Sequence, residues 1–98
     1  MAIKSSTQDN ITTIRPGDTF DYSEQAEFRK AYESVPKNQQ FVIDFRDTRY
    51  LDSAALGMLL LLREYAGEEQ AKITLVNCDD EVKNIFRISN FNKLFKID

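Results

Sequence analysis

Asp52-Ser53-Ala54-Ala55-Leu56-Gly57 is the stretch of this chain best placed for chemistry. It closes a polar loop that follows an apolar strand, and it opens a very apolar helix. A serine at that junction faces unpaired backbone N–H groups and the positive end of a helix dipole, a setting that receives anions. Two readings follow. The Ser53 hydroxyl caps the helix, a common use of serine at such a position. Alternatively it carries a phosphoryl group whose charge the helix end accepts. Thr48 offers a second hydroxyl and reads as a brace for the loop. Asp44, Asp47 and Asp52 could hold a divalent cation, but they lack a fixed ligand spacing and no Gly-rich phosphate loop accompanies them. The chain has no histidine, so proton transfer near neutral pH would fall to a tuned carboxylate or lysine. The expectation is a protein that is not an enzyme and that uses no cofactor or metal.

The length of 98 residues suits one domain, spanning 1–98. A formal net charge of −3 argues against nucleic acid as the main partner, since phosphate binding needs a basic face. Tyr22, Tyr32, Tyr50 and Tyr65 therefore read as residues at the edge of the core rather than as a base-stacking set. The single cysteine, Cys78, fits a reducing, cytoplasmic location. The segment Met1 to Ser6 lacks the apolar region of a signal peptide. The longest apolar run, Ala54 to Leu62, is too short to span a bilayer, so direct membrane insertion is not expected.

The elements that must position Ser53 follow from periodicity. Ile3 to Thr7 and Ile11 to Arg15 read as two strands joined at Asp9-Asn10, a hairpin. Pro16-Gly17 ends the second. Asp21-Tyr22-Ser23-Glu24 has capping-box spacing, with Asp21 as cap and Glu24 folding back. The helix after it places Phe28, Ala31, Tyr32 and Val35 on one face, and Pro36 stops it. Phe41 to Phe45 is nearly all apolar, as expected of a central strand covered on both faces. The helix from about Ala54 to Ala66 packs Ala55, Leu59, Leu62 and Ala66 inward, flanked by Leu56 and Met58. Its opposite face carries Ala54, Gly57, Leu60, Leu61 and Glu64. Leu60 and Leu61 are thus either covered by another element or part of a contact surface. Gly57 either admits a partner's backbone or allows close helix–sheet packing. Ile73 to Val76 is a further strand. Asn77-Cys78-Asp79-Asp80 caps a third helix carrying Val82, Ile85 and Phe86, and Asn90 closes it. Phe95 to Ile97 reads as a short edge strand. The order β-β-α-β-α-β-α-(β) implies a mixed, mostly parallel sheet with right-handed crossovers. Functional loops then lie beyond the carboxyl ends of the strands, where Asp47 to Ser53 falls and where Asp21 could join it.

Four features together resemble the STAS domain family, which includes bacterial anti-sigma factor antagonists. They are the Gly17-Asp18-Thr19-Phe20-Asp21 turn, the strand Phe41 to Phe45, the signature Asp52-Ser53-Ala54-Ala55-Leu56-Gly57, and the tail Ile88 to Ile97. The resemblance spans nearly the whole chain. It implies the STAS α/β fold: a mixed, mostly parallel sheet of four to five strands, an N-terminal β-hairpin and about three to four helices. It implies Ser53 as the phosphoacceptor, with Asp21 and Asp52 as its acidic neighbours. It also implies an anti-sigma factor acting as serine kinase and partner, and a PP2C-type phosphatase that restores the serine. The partner would dock over Asp21, Asp52, Ser53, Ala54, Gly57, Leu60 and Leu61. Ala54 stands where a second hydroxyl is frequent in the family. The alternative on the same fold is a STAS subunit of a lipid ABC transporter or an anion transporter, without phosphorylation.

Overall fold

The computed structural model describes residues 3–98. The chain opens with β1 (Lys4–Gln8) and β2 (Ile11–Arg15), antiparallel and paired from Lys4 with Arg15 to Gln8 with Ile11. Asp9 and Asn10 turn the hairpin with φ of 54° and 65°. Two successive left-handed residues form a type I′ turn, whose twist suits a two-residue loop, and Asp and Asn tolerate that conformation.

The chain then forms β3 (Thr19–Phe20), a 3-10 turn at Tyr22–Glu24, α1 (Gln25–Glu33), β4 (Gln40–Asp44) and β5 (Tyr50–Leu51). Next come α2 (Ser53–Tyr65), a 3-10 turn at Glu68–Gln70, β6 (Ile73–Val76), α3 (Asp80–Ile88), a 3-10 turn at Phe91–Lys93 and β7 (Lys96–Ile97). The main sheet runs β1-β2-β4-β6-β7, and a separate two-stranded sheet pairs β3 with β5. The hairpin is antiparallel, and every other pairing is parallel. This is the expected mixed sheet with an N-terminal hairpin and three α-helices.

The expectation for the central strand needs correction. In β4, Phe41 and Ile43 are buried, whereas Val42 is only half-buried. Thr13 and Thr74, which flank Val42 in register, are also half-buried. The reason is topological. The strand order β2-β4-β6-β7 advances in one direction, so right-handed crossovers put every connecting helix on the same side. The sheet therefore has one covered face, bearing Thr12, Ile14, Phe41, Ile43, Ile73 and Leu75, and one open face.

The covered side is filled by aromatic rings in succession. Ring centroids lie 5.0 Å apart for Phe20–Phe28, 6.1 Å for Phe20–Phe45, 5.6 Å for Phe45–Phe86 and 5.8 Å for Phe86–Phe91. Phe28 meets Tyr32, and Tyr32 meets Tyr65, which joins α1 to α2. The Tyr65 hydroxyl donates to the Val35 carbonyl at 2.7 Å, giving a half-buried phenol its polar partner. Asn90, at φ 62°, ends α3 in the left-handed conformation expected of it.

Candidate functional site

Two strands of only two residues each organise the rim around Ser53. Thr19 pairs with Tyr50 and Phe20 with Leu51, in parallel. Both segments therefore leave the small sheet in the same direction, and each next residue is an aspartate that caps a helical turn. Asp21 accepts from the Ser23 N–H at 2.9 Å, and Asp52 accepts from the Ala55 N–H at 2.9 Å. The loop that delivers Asp52 is tied to the loop before Asp21. Thr48 is fully buried, and its hydroxyl donates to the Gly17 carbonyl at 2.8 Å. The Arg49 and Tyr50 N–H groups both donate to the Asp18 carbonyl. Thr48 is thus the loop brace that its position suggests, out of reach of a modifying enzyme.

Ser53 is the first residue of α2, and Asp52 is its cap. The capping reading of Ser53 is thereby displaced: the carboxylate takes the bond, and the serine stands exposed beside it. The Leu56 N–H reaches the Asp52 carbonyl at 3.3 Å. With Ala55 and Leu56 served, the N–H groups of Ser53 and Ala54 have no partner within the helix. Free N–H groups at a helix start point along its axis and favour an anion there.

The outward face of α2 continues from Ser53. Ala54 is half-buried, and Gly57, Leu60 and Leu61 are exposed, with 42% and 46% of the two leucines accessible. Leu61 borders α1 across a groove lined by Arg29, Tyr32 and Glu33, yet both leucines stay too exposed to count as buried, so of their two readings burial fails. A Cβ added at Gly57 would meet nothing within 4 Å. Close helix–sheet packing therefore does not explain Gly57, and its Cα lies open on the surface. Ala55, Met58, Leu59 and Leu62 are buried on the opposite side.

Tyr22 and Tyr50 differ from the expectation of core-edge residues: 67% and 56% of their surfaces are exposed. Tyr22 follows Asp21 directly, and Tyr50 lies on β5 two residues before Asp52. These two aromatics flank the rim and escape sequence reasoning, because strands of two residues leave no periodic signal. The capping box around Asp21 is only half formed. Glu24 turns inward instead and is 7% exposed, and among the described residues its Oε1 finds no hydrogen-bond partner. Burial pushes the Glu24 pKa up, and Asp21 adds to the effect.

Asp44 and Asp47, the other two members of the candidate cation set, are committed elsewhere. Asp44 accepts from the Arg46 N–H at 3.0 Å, from Arg46 Nε at 2.9 Å and from Asn77 Nδ2 at 3.0 Å. Burial raises its pKa, but the bonds from Asn77 and Arg46 outweigh it and hold the carboxyl below its usual range. Asp47 pairs with Arg15 at 2.7 Å. Among the described residues no cluster of three or more His, Cys, Asp or Glu is placed to hold a metal ion. Cys78 is buried, and burial pushes its thiol up to about 11, leaving it inert as a nucleophile. Among the described residues no helix is long and apolar enough to cross a membrane.

A family model described as the STAS domain matches residues 2–98. A STAS-domain containing protein of Pseudomonas aeruginosa (strain UCBPP-PA14) is 52% identical over 86 residues, covering 87% of this chain and 85% of that protein. Among solved structures, the unphosphorylated form of the anti-sigma factor antagonist SpoIIAA superposes with a TM-score of 0.81 at 15% identity, covering 99% of this chain and 88% of that one. A sulfate transporter family protein of Wolinella succinogenes superposes at 0.75 with 10% identity, covering 90% and 73%. At such identities the likeness to the two structures establishes the fold.

Proposed function

The chain belongs to the STAS domain family, and from that premise we propose that it is a phosphorylation-switched protein-binding regulator, a cytoplasmic domain that is not itself an enzyme. In its unphosphorylated form it binds an anti-sigma factor that is also a serine kinase, and so relieves that factor's hold on a sigma factor. Phosphorylation at Ser53 ends the binding, and a PP2C-type phosphatase reverses it. The observation that carries this reading is the division of labour at the start of α2. Asp52 makes the cap, so the exposed Ser53 hydroxyl is left over for chemistry at a helix end built to receive an anion. SpoIIAA, which shares the fold, has also been solved in a phosphorylated form.

The switch acts by charge. A phosphoserine adds about −1.5 to −2 at neutral pH. The N–H groups of Ser53 and Ala54 and the dipole of α2 favour it, while Asp52 opposes it. The two effects offset, so the fold changes little. The docking surface is affected far more. It comprises Asp21, Asp52, Ser53, Ala54, Gly57, Leu60 and Leu61. A partner seated there would have to desolvate the phosphate, and an unpaired charge buried at an interface costs several kcal/mol, or about two to three decades of affinity.

The experiment is to compare Ser53→Ala and Ser53→Asp for binding to the kinase encoded in the same genome. Both variants should stay folded, and Ser53→Asp alone should lose the partner. Equal affinity removes the charge argument. Phosphopeptide mass spectrometry on protein from its own cells should find the modification on Ser53. The second reading, a STAS subunit of a transport complex, is supported by the fold shared with the Wolinella protein. It would be favoured by co-purification with a transporter or its ATPase and by an unmodified Ser53.

A further inference from the structure

The outer edge of β1 is the surface that the proposed switch does not use. Among the described residues β1 pairs only with β2, and all five of its residues are exposed. Edge strands are usually guarded by short length, proline, a bulge or charged side chains, lysine above all. The segment Lys4-Ser5-Ser6-Thr7-Gln8 has no proline, runs in unbroken register with β2, and carries one charge, at its end.

Its hydrogen-bonding parity is fixed by the turn. In a two-residue hairpin the closing pair, Gln8 and Ile11, exchanges both backbone bonds, and bonded and non-bonded pairs then alternate. Gln8, Ser6 and Lys4 are therefore bonded to β2, and Ser5 and Thr7 point their N–H and C=O groups outward. The contact between the Thr7 and Thr12 hydroxyls, at 2.9 Å, fits the closer side chains of a non-bonded pair.

We propose that this edge pairs with β1 of a second copy of the chain, antiparallel about a two-fold axis at Ser6. In this register Ser5 bonds with Thr7 of the other copy and Thr7 with its Ser5, so every outward group of the strand finds a partner. Ser6 faces Ser6. The one charge, Lys4, faces Gln8, so no like charges oppose each other. The geometry beside the strand is compatible. An open groove of about 360 Å³ separates β1 from α1, lined by Ile3, Ser5, Glu27, Lys30, Ala31 and Ser34. Helix α1 packs on β2, so the two copies of α1 run antiparallel about 14 Å apart, three strand spacings. Long side chains span that gap, with Glu27 and Lys30 supplying opposite signs. Helix α2 lies in the β4–β6 crossover, away from this edge, so both copies of Ser53 stay accessible.

Pairing along one five-residue edge buries less than the roughly 1,600 Å² of a standard stable interface. The dimer should therefore be weak and should appear on the order of 0.1–1 mM. Sedimentation equilibrium from about 10 µM to about 1 mM should show mass rising toward two chains. Ser6→Lys sets two like charges face to face on an exposed position and should abolish the rise without changing the unfolding midpoint. Ser6→Cys should cross-link under oxidised glutathione, because the Cα atoms of a non-bonded antiparallel pair lie about 4.5 Å apart. Ser5→Cys should not, since two copies of residue 5 are offset beyond disulfide reach. A monomer throughout, a dimer indifferent to Ser6→Lys, or equal cross-linking of the two cysteine variants would each overturn the proposal.

Discussion

Removing the Asp52 carboxylate tests whether Ser53 is truly relieved of a structural task. Asp52 accepts the Ala55 N–H at 2.9 Å and is the N-cap of α2. Loss of such a cap to alanine costs about 1 kcal/mol, within a range of about 0.5–2. The lost charge at the helix N-terminus adds about 0.3–1 kcal/mol. Asp52→Ala should therefore destabilise the fold by about 1–2 kcal/mol. With a urea m-value of about 1–3 kcal/mol/M, the midpoint should fall by roughly 0.3–2 M. Asp52→Ser keeps an acceptor and loses only the charge, so about 0.3–1 kcal/mol should go. Ser53→Ala breaks no cap and gains helix propensity, so its stability should stay within about 0.5 kcal/mol of the parent or rise. Equilibrium urea unfolding followed by far-UV circular dichroism resolves the series. If Ser53→Ala proves as costly as Asp52→Ala, the hydroxyl is carrying the cap, and the argument that it stands free for modification collapses.

Further substitutions probe the same face and its surroundings. Gly57→Ala should raise stability by about 0.5–1 kcal/mol, because a helical glycine is replaced where the new methyl meets nothing; thermal unfolding measures the gain, and weaker binding of the proposed kinase partner by the same variant would mark close approach of that partner's backbone. Leu61→Glu, on a side chain already 46% exposed, should cost under about 1 kcal/mol, against about 2–5 for Leu62→Ala in the core; a cost for Leu61→Glu equal to that of Leu62→Ala would place Leu61 in the interior. Glu24→Gln should stabilise at pH 7. The folded state raises the Glu24 pKa, mainly through burial, so the native carboxyl holds its proton to higher pH and its contribution declines as pH rises from the unfolded value through the folded one. The advantage of the variant should therefore shrink as pH falls below the carboxylate range, and an advantage that does not vary with pH would contradict the assignment.

The larger elements were legible because their physics is local. The strand Ile73 to Val76, the turn at Asp9-Asn10 and the cap at Asp79 follow from β-branching, side-chain tolerance of positive φ, and capping chemistry. Helix α2 announced its buried face through Ala55, Leu59 and Leu62. What the residues could not reveal depends on partners distant in the chain. The apolar run of β4 is the same whether a sheet is covered once or twice, and only the strand order decides that Val42 lies on the open side. Asp52 and Ser53 are both good caps, and choosing between them takes the backbone angle at which the loop arrives. That angle is set by the pairing of β3 with β5. Tyr22 and Tyr50 stand exposed for the same reason, and Glu24 turned inward where its spacing suggested a return to the backbone.

The small parallel pairing at the rim also bears on when the molecule becomes competent. Thr48 holds Gly17 across 31 residues of sequence, and Phe20 meets Leu51 only after α1 and β4 have been laid down between them. The two aspartate-capped openings are therefore neighbours in the finished chain alone. An excised peptide around Ser53 would lack the Asp21 side of the proposed docking surface, and so would a nascent or unravelled chain. If Ser53 is the modified residue, as proposed, only the completed fold presents it in this setting.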